Sequence, residues 1–274
     1  MSARAARPLV DMGVRTVTAL ALGVVILGVL FYGGVWGVAG IVAVIAALAV
    51  TEFYALARHE RRRLNEFVGL LATIAMPLVA VPWGLTGITG VVAALVIASL
   101  VWHVLIPRVR LADTALTVFG AAYIGFTLAH VVLIRQFAEG TLLVLVMLFG
   151  VWANDVLAYT VGTAVGRRPL APAISPKKTW EGLAAGTLAT IAVWLIGGAL
   201  LDLAIETAWL VAIGLAASVA AVIGDLAESR IKREVHTKDS GRLLPGHGGF
   251  LDRFDAFILI SIVTYYLLLA AGVR

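Results

Sequence analysis

The chain has no cysteine, and it carries little charge: 14% of its residues are charged against 61% apolar. The first absence excludes disulfides, thiolate zinc sites, iron–sulfur clusters and cysteine nucleophiles, so any bound metal should be a hard cation on oxygen ligands. The second excludes a soluble globule, which would lack the polar groups needed to cover its surface. Internal repeats, low-complexity tracts and a separable soluble domain are missing too. The chain is therefore read as a single membrane domain over residues 1–274. Residues 1–140 supply N-terminal helices of unassigned role, and residues 141–274 supply the functional helices and loops.

What the sequence does have is a series of apolar runs of about 20 residues, each long enough to cross a hydrocarbon core of roughly 30 Å as a helix. About nine are read, near 14–32, 35–57, 67–84, 88–106, 112–134, 141–165, 181–201, 206–231 and 253–272. The expected fold is all-α, a polytopic integral membrane helix bundle. Arg4, Arg7 and Arg15 ahead of the first run imitate a signal peptide. No convincing cleavage site follows and the next run begins at once, so this run is expected to be retained.

A net charge of +5 invites a nucleic-acid reading, but the placement of the basic residues points to membrane orientation instead. With a cytoplasmic N-terminus and nine spans, 19 of the 21 basic residues fall on the inner side, and only Arg135 and Arg274 fall outside. The two longest polar segments, 166–180 and 230–253, then share the cytoplasmic face. All four lysines lie in them: Lys177, Lys178, Lys232 and Lys238. Compact ammonium groups gathered on one face suit phosphates.

The eighth run ends in Asp225, Glu228, Ser229 and Lys232, whose offsets of 0, 3, 4 and 7 form one helical stripe. Asp225 lies eight residues before Arg233, about 12 Å along the axis, hence below the membrane surface. An unpaired carboxylate there costs ~2.5–3.5 kcal/mol at a helix centre, so it should face a polar cavity, a cation or a base. The bland alternative is an intrahelical Glu228 to Lys232 pair with Asp225 near the interface. Next comes a glycine-rich loop containing Lys238, Asp239, His247, Gly248 and Gly249, feeding a last helix that opens with Asp252, Arg253 and Asp255. Free backbone N–H groups at such a junction hold phosphate, and two carboxylates three apart can bind a divalent cation. Equally, the glycines could only turn the chain and the carboxylates only complement the helix dipole.

A second polar spot is Asn154-Asp155 inside the sixth run, with Tyr159 on the same face. The loop after it ends in Ser175-Pro176-Lys177-Lys178-Thr179-Trp180-Glu181-Gly182, where the lysines either clamp phosphates or mark the inner side. Glu52, His103 and His130 are isolated, and helix-to-helix hydrogen bonds explain them as well as function does. They are assigned no function.

Taken as one string, Ser229, Lys232, Arg233, Lys238, Asp239, Gly241, Pro245 to Gly249, Asp252, Arg253 and Asp255 resemble the signature of the phosphatidate cytidylyltransferase family, the CDP-diacylglycerol synthases. Asn154-Asp155, the segment from Ser175 to Gly182, and Gly224-Asp225 with Glu228-Ser229 are similar to further motifs of that family, in the same order. Residues 1 to about 140 match only as hydrophobic spans. The resemblance implies CMP transfer from CTP to phosphatidate, with pyrophosphate released and Mg2+ required, as one or two cations. It implies that Asp225, Asp252 and Asp255 hold the metal with Asp155, and that Lys232 acts with these aspartates in catalysis. Asn154, Asp155, Ser175, Lys177, Lys178, Ser229, Arg233, Lys238, Asp239, His247, Gly248, Gly249 and Arg253 would bind substrate. Expected partners are CTP, phosphatidate and membrane lipids, with a homodimer left open and nucleic acid excluded. The expected location is a bacterial inner membrane with the site on the cytoplasmic side. The rival readings are a CTP-dependent transferase or kinase acting on an ether lipid or a polyprenol, and an ion-coupled transporter.

Overall fold

In hydrocarbon every backbone N–H and C=O must find its partner within the segment, so apolar runs become helices. The computed structural model describes residues 17, 20–59, 62–237, 240–241 and 249–274. Its helices are α1 (Leu20–Tyr32), α2 (Gly34–His59), α3 (Glu66–Leu105), α4 (Leu111–Ala121), α5 (Thr127–Arg135), α6 (Gly140–Val165), α7 (Trp180–Leu200), α8 (Thr207–Glu234) and α9 (Leu251–Ala270). A π-helical turn, Ala122–Phe126, joins α4 to α5. Among the described residues seven helical segments are long and apolar enough to cross a membrane, and the chain is an integral membrane protein.

Helix α3 has 40 residues. At 1.5 Å per residue it would reach about 60 Å, twice the hydrocarbon thickness. Gly84 resolves this: its φ of 54° and ψ of −143° break the helix in two, a backbone conformation that favours glycine. The two runs read separately at 67–84 and 88–106 meet at this break.

One element departs from the all-α expectation. The polar segment after α6 is an antiparallel hairpin of β1 (Pro169–Ala171) and β2 (Ser175–Thr179), with Pro169 opposite Thr179 and Ala171 opposite Ser175. Thr179 ends the hairpin and starts α7, its hydroxyl capping the Gly182 amide at 3.1 Å. Helices α6 and α7 run in close contact because Gly182 lies against the Ala158 carbonyl and the Gly162 backbone. His103 and His130 make their contacts within the bundle. His103 Nδ1 is 3.3 Å from the Thr114 hydroxyl on α4, while His130 bonds the Phe126 carbonyl and stacks edge-on against Tyr265 of α9.

Candidate active site

The stripe on α8 is divided between two neighbouring environments. Asp225 faces the hairpin, where Lys178 Nζ lies 2.6 Å from its Oδ2, and Ser229 Oγ donates to its Oδ1 at 3.2 Å. Here a cavity of about 550 Å³ opens between α6, the hairpin, α7 and α8, lined by Asn154, Asp155, Lys177, Lys178 and Asp225. Asp255 on the first turns of α9 is brought alongside by Gly224, which lies directly against the Asp255 carbonyl. Asp255 Oδ1 accepts from the Ala256 amide at 2.7 Å. Asp155 and Asp225 line this space, and Asp255 stands on the neighbouring α9.

Because the group a Gly224 side chain would meet is backbone, neither helix can yield by turning a side chain. Gly224→Ala is therefore expected to cost about 1–3 kcal/mol through overpacking, despite the helix propensity of alanine. Thermal unfolding of the purified protein in detergent checks this. A midpoint at or above the parent's would show that α8 and α9 part without loss.

The second environment is more enclosed. Glu228 is 1% exposed, and Lys232 Nζ donates to its Oε2 at 2.9 Å and to Asp252 Oδ1 at 2.6 Å. The intrahelical pair is thus present, but it extends across to α9. The other oxygen of Asp252 accepts from the amides of Ser240, at 3.2 Å, and Gly249, at 3.0 Å. Lys232 and Asp252 brace α8 against α9 and fix both flanks of the intervening segment.

Of the remaining residues singled out in the sequence, Asn154 and Lys177 share the cavity lining and the others lie apart from it. Asn154 is buried, and its Oδ1 accepts from Ser218 Oγ at 2.9 Å and Thr190 Oγ1 at 3.5 Å, tying α6 to α8 and α7 at the cavity wall. Ser175 is half-buried at the start of β2, and Lys177 is exposed on the same strand. Arg233 Nη1 donates to the Thr237 carbonyl at 3.3 Å, and Arg253 is exposed on the first turn of α9. Lys238, Asp239, His247 and Gly248 lie outside the described residues.

One residue that sequence reading set aside belongs here. Glu52 of α2 is buried, and its Oε2 accepts from Ser240 Oγ at 3.0 Å and the Leu251 amide at 2.9 Å. The available signal was the rule that drew attention to Asp225: a carboxylate within an apolar run needs a partner.

Among the described residues there is no group of three or more His, Cys, Asp or Glu placed to hold a metal by itself. What the site offers is Asp225 with Asp155 and Asp255, all oxygen donors. Mg2+ fits such a set, because it takes one or two carboxylates and completes its shell with water and substrate phosphates. Asp252 would have to release Lys232 or an amide before it could ligate.

A model described as the cytidylyltransferase family matches residues 13–271. The phosphatidate cytidylyltransferase of Bacillus subtilis (strain 168) is 32% identical over 269 residues, 95% of this chain and 98% of its own length. That of Mycobacterium tuberculosis (strain ATCC 25618 / H37Rv) is 31% identical over 280 residues, 94% of this chain and 82% of its own. That of Staphylococcus epidermidis (strain ATCC 12228 / FDA PCI 1200) is 31% identical over 265 residues, covering 94% and 99%. The similarity extends through the N-terminal helices, beyond the C-terminal half to which the motifs confined it.

Proposed function

The chain belongs to the cytidylyltransferase family, and on that premise we propose that it transfers CMP from CTP to phosphatidate, giving CDP-diacylglycerol and pyrophosphate for phospholipid synthesis. The observation that carries this reading is the cavity in which Lys177 and Lys178 face Asp155 and Asp225. It pairs phosphate-binding cations with ligands for a hard metal at the edge of a membrane domain.

In this mechanism a phosphate oxygen of the lipid bonds to the α-phosphorus of CTP. The bond from that phosphorus to the oxygen bridging the β-phosphate breaks, and its electron pair leaves with pyrophosphate. A phosphate monoester is largely doubly ionised near pH 7, its second pKa being about 6, so no dedicated base is needed. Lys177 and Lys178 bind the nucleotide phosphates, with Lys178 held in line by Asp225. One or two carboxylates of the set Asp225, Asp255 and Asp155 would hold Mg2+, which when bound neutralises charge developing on the phosphates. Lys232, already shared by two carboxylates, sets α8 against α9 together with Asp252.

The same reading places the protein in a bacterial inner membrane with its N-terminus and site on the cytoplasmic side. It counts nine crossings, α3 contributing two across Gly84 and α1 one. Phosphatidate enters from the inner leaflet while CTP arrives from the cytoplasm.

Purified protein in detergent, given labelled CTP, Mg2+ and phosphatidate, is expected to yield labelled CDP-diacylglycerol, with no product after chelation of the metal. Absence of product with phosphatidate, alongside phosphorylation of a polyprenol, would replace this reading with a kinase.

A further inference from the structure

The N-terminal half of the chain reaches the site through Glu52. Glu52 is 4% exposed, two turns before the end of an apolar helix, and both hydrogen bonds to its Oε2 come from residues 188 and 199 positions further along. One of these donors is the Leu251 amide, among the first N–H groups of α9 that no helical carbonyl can satisfy. The other is the hydroxyl of Ser240, whose amide is held by Asp252. Ser240 is thus gripped from two helices, by Glu52 of α2 and Asp252 of α9.

The fit around this carboxylate is close. A Cβ on Gly241 would run into Glu52 Oε1, and one on Gly249 would meet both Ser240 Oγ and Glu52 Oε2. Leu251 itself is fully buried, so the start of α9 is seated by its side chain as well as its amide. One residue further on stands Asp252, and one turn further stands Asp255, whose backbone carbonyl packs against Gly224, the neighbour of Asp225. A shift in the first turn of α9 would therefore move Asp255 relative to Asp225.

We propose that Glu52 is a positioning residue for the reaction: from α2 it anchors the first turn of α9, and so sets Asp255 in register with Asp225. The proposal rests on the reading of the site given under Proposed function. It gives the N-terminal helices a part in the chemistry without contact with substrate.

The test compares Glu52→Ala, Glu52→Gln and Ser240→Ala in the full-length protein in detergent, by turnover and by backbone hydrogen exchange of the peptide spanning the start of α9. Glu52→Ala is expected to lower kcat by about tenfold to a hundredfold, the scale on which displacement by about 1 Å acts, and to speed exchange at the start of α9. Glu52→Gln, whose amide oxygen still accepts from the Leu251 N–H, is expected to recover most of both. Ser240→Ala, which keeps the carboxylate and its bond to Leu251, is expected to shift both measurements in the same direction by less, and it stands in if Glu52→Ala does not fold. Unchanged exchange at α9 in Glu52→Ala, or a Gln variant as impaired as Ala, would overturn the proposal. If the parent makes no CDP-diacylglycerol yet exchange responds as described, the functional reading fails and the anchoring stands.

Discussion

Asp225→Asn is expected to lower kcat for CDP-diacylglycerol formation by roughly a hundredfold to a thousandfold, the loss typical of removing one group that stabilises transition-state charge. The folded protein should be little affected. The carboxylate is 39% exposed and its partner Lys178 is 24% exposed, a setting in which an ion pair contributes little stability. Asparagine keeps the shape and can still accept from Ser229, so the change isolates the charge. Lys178→Met separates the two roles that Asp225 could fill. If Asp225 served only to hold Lys178, the lysine variant would lose as much turnover, and the double variant would lose no more than either. If Asp225 also ligates the cation, Lys178→Met mainly raises KM for CTP while Asp225→Asn lowers kcat. Steady-state kinetics on the four proteins decide between these, and near-normal turnover in Asp225→Asn would remove it from the site.

That Asp225 could be chosen from the sequence follows from the solvent. In an apolar run a single carboxylate stands out because hydrocarbon penalises it, and the same penalty makes the helices legible as uninterrupted runs. Lys177 and Lys178 were legible as half of a lysine set confined to one face. The hairpin that carries them was not, since Pro-Lys-Lys has neither the alternation nor the β-branched content that marks a strand, and its pairing with Pro169–Ala171 is a tertiary choice. Glu228 and Lys232 were placed on the right face, but helical spacing cannot say what lies opposite. The structure puts Asp252 there, and Lys232 and Asp252, both expected in catalysis, join α8 to α9. Glu52 was least legible of all. It lies close to the basic cluster that ends α2, where a lone acidic residue passes for an interfacial one, and its partners are nearly 200 residues away.

The brace carries the largest expected effect on stability. Lys232 side-chain exposure is 13%, that of Glu228 is 2%, and that of Asp252 is 9%, so one ammonium serves two carboxyl groups away from bulk water. Lys232→Met preserves the length of the side chain and removes the charge. It leaves a buried pair of acceptors facing each other, a change expected to cost about 3–5 kcal/mol, and to lower the unfolding midpoint in detergent by roughly 10 °C. Glu228→Gln in the same protein should restore part of this, because the amide cannot ionise and can donate to Asp252. A free phosphate-binding lysine would behave differently. Its loss would raise KM for CTP, leave the midpoint unchanged, and gain nothing from Glu228→Gln. The midpoint and KM, measured on the single and double variants, therefore distinguish a cation that holds two helices together from one that meets the nucleotide.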